Sequence, residues 1–309
     1  VTRVPMLQTM PLPQRVASRL LTNLGTSRRM SAALEGQLHA CLIGTDAVEA
    51  AANEVRRLWS RAFAGISGDV LRPHAHSSVN DLDRTEFIEH FRPRGYDNAG
   101  QELGAQSVAG LLALLQLTAD ERFVDLGSSE GRVPLAVAHL TSAQAVGIEL
   151  SPARHESATI AQRRLSDSTN RVHLLQADFL EPGLLTRALS TQPRCLQDTV
   201  WCAVRARQGR ITNARLLEAV RHRHVHRTAA LGDSQTRTRL LLAGFALPED
   251  AEGVTLNAGY CFVRSPAGAV AFASGAPVQY EHVMPLFGDE HRTGPKGGLG
   301  PKLILEYFL

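Results

Sequence analysis

Phe123-Val-Asp-Leu-Gly-Ser-Ser-Glu-Gly-Arg132 is an apolar run that breaks at a glycine, turns, and passes a second glycine before an amphipathic stretch. Some twenty residues on, Ala145-Val-Gly-Ile-Glu-Leu150 is a second apolar run that ends in an acid. Strand, glycine turn, helix, strand and acid, in that order, are the layout of a nucleotide-type site at the end of a β-α-β unit. The turn brings backbone N–H groups to an anionic group, and the acid after the second strand can hold ribose hydroxyls. Gly127 permits the tight turn, and Gly131 lets the following helix pack close to the sheet. The glycine spacing is not the G-x-G-x-x-G of dinucleotide binders, which disfavours an NAD-linked oxidoreductase. It matches D-x-G-x-G-x-G with Ser129 in place of the middle glycine.

Outward from this stretch, the pattern predicts strands near 122–126, 144–149, 171–176 and 198–203, with a fifth near 225–231. Helices are expected near 102–115, 131–139, 152–166, 182–190 and 211–221. Strands that alternate with helices imply a parallel sheet, because each return to the same edge needs a crossover. Upstream, residues 12–66 read as helical, with Val16, Leu20, Leu21 and Leu24 at helical spacing and Thr45 as a plausible N-cap. Residues 66–100 are irregular. Downstream, residues 253–264 and 269–273 flank Ser-Pro-Ala-Gly268, a hairpin signal. Residues 288–301 form a loop, and 303–309 can close the sheet as a last strand. The divisions expected are a helical extension and linker over 1–100, an α/β domain over 101–287, and a basic Gly/Pro-rich loop with a strand over 288–309.

Composition narrows the function classes. The 309 residues are 44% hydrophobic, and no apolar run reaches the roughly 20 residues that span a bilayer. A formal net charge of +3 does not by itself argue for nucleic acid. The basic residues are almost all arginine, Lys296 and Lys302 being the only lysines. A genome rich in G and C accounts for that as readily as phosphate binding does. Cys41, Cys195, Cys202 and Cys261 lie far apart and read as buried thiols rather than a disulfide framework. The first 34 residues carry five arginines and no acid, the composition of a mitochondrial or plastid transit segment. Localisation is therefore expected to be mitochondrial, with cytoplasmic or nuclear as the alternative.

The turn and its flanks resemble the class I, S-adenosylmethionine-dependent methyltransferases, whose usual turn reads Val-Asp-Leu-Gly-Ser-Gly-x-Gly. More narrowly, Leu115-Gln-Leu-Thr-Ala-Asp-Glu-Arg-Phe-Val-Asp-Leu-Gly-Ser128 resembles the non-SET histone-lysine methyltransferases, the disruptor-of-telomeric-silencing family. The resemblance covers about residues 95–205. It implies an α/β, Rossmann-like, seven-stranded methyltransferase sheet with a helical N-terminal extension, and S-adenosylmethionine as cofactor. It also implies site residues. Asp125, Gly127, Ser129 and Gly131 would border the methionine end, and Glu149 would chelate the ribose hydroxyls. Asp178, in Gln176-Ala-Asp-Phe-Leu180, would accept from the adenine amine with Phe179 against the ring. Tyr96 and Glu102, in Gly95-Tyr-Asp-Asn-Ala-Gly-Gln-Glu102, correspond loosely to a loop over the cofactor in that family. Taken singly, Glu149 and Asp178 also read as caps of the turns that follow them; taken together, their order is that of a ligand set.

Two departures bear on activity. Ser129 adds a side chain where backbone must approach the cofactor. After the fourth strand, Asp198-Thr-Val-Trp-Cys-Ala-Val-Arg205 lacks the Asn/Asp-Pro-Pro-Tyr of amino methyltransferases and the Asn-Asn aromatic loop of the resembled family, so no catalytic residue is assigned. Methyl transfer to protein or nucleic acid is one expectation. The other is a catalytically inactive, methyltransferase-like structural or assembly subunit of a mitochondrial complex. Partners would be a protein or RNA substrate, or a larger organellar assembly. In Arg221-His-Arg-His-Val-His-Arg227 the histidines recur at period two and would share one face of a strand, but interleaved arginines make a cation unwelcome. No metal is expected. His74 and His76 read as a solvated loop, and the 296–302 segment as a flexible tail.

Overall fold

The computed structural model describes residues 9–11, 39–41, 45–66, 87–94, 103–165, 170–186, 199–203, 210–231, 238–243, 255–264, 270–273 and 303–308. Among the described residues, two short strands come first, β1 (Thr9–Pro11) and β2 (His39–Cys41). The first helix, α1 (Thr45–Ala62), buries Ala52, Val55, Leu58 and Ala62, a three-to-four-residue recurrence that gives one apolar face. Its exposed side is laced by Arg56 to Glu49 and Arg57 to Glu54. A single π-turn, Phe87–Phe91, and a 3-10 turn, Arg92–Arg94, come next, followed by α2 (Ala105–Leu115).

The alternating core then follows as β3 (Arg122–Leu126), α3 (Arg132–Leu140), β4 (Gln144–Glu149), α4 (Pro152–Arg164) and β5 (Val172–Gln176). It continues through β6 (Thr199–Ala203), α5 (Arg210–Leu231) and β7 (Thr238–Ala243), and ends in β8 (Thr255–Arg264), β9 (Val270–Ala273) and β10 (Leu303–Phe308). Every residue of β3 is buried, as expected of a central strand covered on both faces.

The sheet order is β1-β2-β9-β8-β10-β7-β6-β3-β4-β5. From β7 to β5 all neighbours are parallel, and β10 inserts antiparallel between β7 and β8. The chain moves outward from β3 through β4 to β5, then returns to the other side of β3 for β6 and β7. This is a Rossmann-like, doubly wound sheet, and its ligands belong at the C-terminal ends of the parallel strands. Helices α1 to α4 share one core cluster that includes Phe63, Leu111, Leu135 and Ala161 with Phe123 and Ala145 of the sheet. At the opposite edge of the sheet, Arg239 of β7 donates to the Leu115 carbonyl at 3.2 Å and lies 3.6 Å from Glu121. That carboxylate in turn takes the Thr118 N–H at 2.8 Å, tying the end of α2 to the sheet.

Two expectations are corrected. The strand expected near 225–231 is the second half of α5, and the fifth strand of the alternation is β7. Arg/His alternation imitates strand periodicity, but Leu216, Leu217 and Val220 are buried at helical spacing, and the helix continues through the basic stretch. His222 is therefore exposed, while His224, two residues on, turns inward to Thr238 Oγ1 at 2.9 Å; the two do not share a face. The second correction concerns the helix read over 12–66. Residues 39–41 are a strand paired with β1 and β9, and the described helix begins at Thr45. A few residues of edge pairing outweigh helical spacing there.

Candidate functional site

Asp125, the last residue but one of β3, is buried, 1% exposed, in register with Gly147 of β4 and Cys202 of β6. Beyond it the backbone hooks sideways: the N–H groups of Gly127 and Ser128 both donate to the Ile148 carbonyl, at 2.9 and 3.0 Å. Three left-handed residues then shape the turn, with φ of 79° at Gly127, 50° at Ser129 and 75° at Gly131. Gly127 has open space where a Cβ would stand. Ser129 adopts a left-handed backbone, a region that costs a non-glycine residue about 1 kcal/mol or more.

The Glu149 carboxylate helps to hold that conformation. The Ser129 N–H donates to Oε2 of Glu149 at 2.7 Å, and the second oxygen, Oε1, accepts the Ser151 N–H at 2.9 Å. Glu149 is 3% exposed and links the β3 turn to the start of α4. Ser151 caps α4 by accepting from Arg154 N–H, with Pro152 in the first turn. On α4, burial pushes the His155 imidazole below its ordinary pKa, against the opposite pull of the Glu149 carboxylate. On β5, His173 is lowered by burial and by the Arg122 guanidinium.

Asp178 follows β5 and holds its own turn: Oδ1 accepts the Leu180 N–H and the main-chain carbonyl accepts the Glu181 N–H, both at 2.9 Å. Its Oδ2 faces Arg94 Nε across 3.6 Å. Arg94 is pinned by donating to the His90 carbonyl at 2.7 Å, and Phe91 is buried under the Arg154 guanidinium at 5.8 Å. The 87–94 segment therefore lies against the ends of β4 and β5. Between them opens a cavity of about 470 Å³, whose walls include Leu150, Pro152, Asp178, Leu180, Arg94 and Arg215. Phe179 is buried, and the cavity's apolar wall comes from Leu150, Pro152 and Leu180.

The structure thus brings Asp125, Gly127, Ser129, Gly131, Glu149 and Asp178 to one edge of the sheet. Tyr96 and Glu102 lie outside the described residues, as do His74, His76 and the 288–301 loop. Among the described residues, no group of three or more His, Cys, Asp or Glu is placed to hold a metal ion, and no helix is long and apolar enough to cross a membrane.

Three participants escaped the sequence reading. Gly147 leaves room for its neighbours: a Cβ there would stand 2.8 Å from Ser128 Oγ and 2.9 Å from Leu174 Cδ2. A glycine inside a strand is the signal that could have found it. Arg94 carried no local signal. Trp59 reaches the same edge from α1, its indole N–H donating to the Arg132 carbonyl at 3.1 Å.

No protein-family model and no curated protein matches the chain. It is similar to solved structures that include TrmN from Thermus thermophilus, at 18% identity over 66% of this chain and 48% of that one, with a TM-score of 0.37. An RNA methyltransferase from Salinibacter ruber in complex with S-adenosyl-L-homocysteine is 16% identical over 58% of this chain and 95% of that one, with a TM-score of 0.31. TrmK of M. capricolum in complex with S-adenosyl-homocysteine is 11% identical over 53% and 65%, with a TM-score of 0.32. The chain spans about half the length of TrmN, and all three TM-scores lie below 0.5.

Proposed function

We propose that the chain binds S-adenosylmethionine at the C-terminal edge of β3, β4 and β5 and transfers its methyl group to protein or nucleic acid. One observation carries this reading: Asp125, Glu149 and Asp178 stand at the ends of three adjacent parallel strands, and a cavity of nucleoside size opens beside the last. The seven strands from β5 to β8, ordered 5-4-3-6-7-10-8 with β10 reversed, support it as a methyltransferase sheet. The narrower kinship with the disruptor-of-telomeric-silencing family is part of this proposal and rests on residues 115–128.

Part of the donor set fits the group: Asp178 lines the cavity, while Glu149, 3% exposed and outside that lining, accepts one backbone N–H on each oxygen and keeps acceptor capacity for ribose hydroxyls. Asp178 can accept an adenine amine in the same way, within walls supplied by Leu150, Pro152 and Leu180. The N-terminus of α3, entered through Gly131, suits a carboxylate. Bound there, S-adenosylmethionine supplies an electrophilic methyl on a sulfonium, taken by a nucleophile in line with the departing sulfur. The chain's own task is alignment.

A second reading is favoured by Ser129, whose Cβ enters the turn and whose N–H, with that of Ser151, already engages Glu149. On it, the fold serves as an inactive structural or assembly subunit of a mitochondrial complex. Calorimetric titration separates the two. The first expects saturable heat with S-adenosylmethionine and S-adenosylhomocysteine. Absence of heat at high ligand concentration, with recovery of the chain in a stable complex on native pull-down, would move the assignment to the second.

A further inference from the structure

We propose that α1 is a working part of the ligand site: Trp59 positions the 127–132 turn by holding Arg132. Arg132 is the first residue of α3 and directly follows the turn. It is gripped twice. Its carbonyl accepts the Trp59 indole N–H at 3.1 Å, and its guanidinium lies 5.4 Å from the Trp59 ring centre and 5.3 Å from that of Phe63. Side chains of a helix lean toward its N-terminus, so this cage sits beside the turn rather than along the body of α3. Arg132 also reaches into the turn itself, with Nη2 3.5 Å from Glu130 Oε2.

The cage is rigid on the α1 side. Phe63 is fully buried, and Arg164 of α4 donates to the carbonyls of Ala62 and Ala64 at 3.2 and 2.6 Å, closing the C-terminal end of α1. Two arginines, from the starts and ends of successive helices, thus converge on the negative end of α1. The turn needs such a brace. Ser129 is held at a φ of 50°, and its neighbours Gly127 and Gly131 impose no stiffness of their own. Glu149 braces the turn from β4; Trp59 braces it from the opposite end, through the residue that starts α3. A helix some 70 residues upstream therefore sets the geometry of the turn.

The test uses the full chain, with Trp59→Ala, Trp59→Phe and, as a control elsewhere in the same core, Val108→Ala. Amide exchange reads the brace without any ligand. Trp59→Ala should accelerate exchange in the peptide covering 127–132 selectively over β4, Trp59→Phe should do so less, and Val108→Ala should show no such selectivity. Equal exchange in the turn of Trp59→Ala and the parent chain would overturn the proposal. The ligand arm rests on the S-adenosylmethionine reading. S-adenosylhomocysteine should bind Trp59→Ala about tenfold more weakly, as for one lost hydrogen bond, while adenosine, which lacks the methionine end, binds within about twofold. An equal loss for both ligands would also overturn it, since that is what general destabilisation produces. Selective exchange in a chain that binds neither ligand would leave the brace standing and remove the ligand reading instead.

Discussion

The end of β3 and the end of β5 lie two strands apart on the same edge of the sheet and are built oppositely. At β3 the turn is wired throughout: Ile148 takes two N–H groups, Glu149 takes those of Ser129 and Ser151, and Ser128 packs into the space that Gly147 leaves. At β5 the acid holds one short turn, and the space beside it is a cavity walled partly by the 87–94 segment. Backbone groups must be fully paired where the chain itself fills the volume; room for a ligand exists where it does not. The β3 end is therefore filled by the chain's own groups, and the β5 end leaves room beside its acid.

Substitutions can break that contrast. Glu149→Ala should cost the most, about 3 kcal/mol by urea unfolding, because it strands two backbone donors in a buried site. Gly147→Ala should follow at about 1 kcal/mol, the low end for overpacking, since half-buried Leu174 can swing aside while buried Ser128 must shift from a new Cβ. Ser129→Gly should work in the other direction, stabilising by roughly 0.5–1 kcal/mol in the same assay by relieving the left-handed backbone. At the other end, Asp178→Asn should shift stability by less than about 0.5 kcal/mol, yet weaken adenosine binding about tenfold in calorimetry. A large stability loss from Asp178→Asn, or none from Glu149→Ala, would erase the distinction.

The smallest effect is that of pH. Burial holds the pKa values of both His155 and His173 below the ordinary 6.5. The unfolded chain therefore takes up protons first as the pH falls. Their contribution to stability is complete above about pH 6.5 and declines as the pH drops from there toward the folded values. Melting temperatures across pH 5–8 should show this slope, and it should flatten in His155→Gln. A slope of opposite sign would mean that the Glu149 carboxylate, not burial, dominates at His155.

Much of the site was legible in sequence because its signals are local. A glycine that must take positive φ, and an acid at the end of an apolar run, each lie within a few residues of the feature they report. β3, α3, β4, α4 and β5 fall close to their expected spans for the same reason, since hydrophobic period is a short-range property. The misreading of 225–231 shows the limit. Alternating arginine and histidine has strand period, and only the burial of Leu216, Leu217 and Val220 reveals the helix that continues through it.

By itself, the sequence determined the alternation of strands and helices, the glycine turn after the first strand of that alternation, and the order of Asp125, Glu149 and Asp178. Only the tertiary structure decided how those pieces serve one another. Glu149 is a brace for Ser129, Gly147 leaves room for Ser128, Arg94 faces Asp178, and α1 reaches Arg132 through Trp59. The physical reason is distance along the chain. Those contacts join residues about 19 to 84 positions apart, and no periodicity spans such a gap; it takes a folded sheet to bring them to one edge.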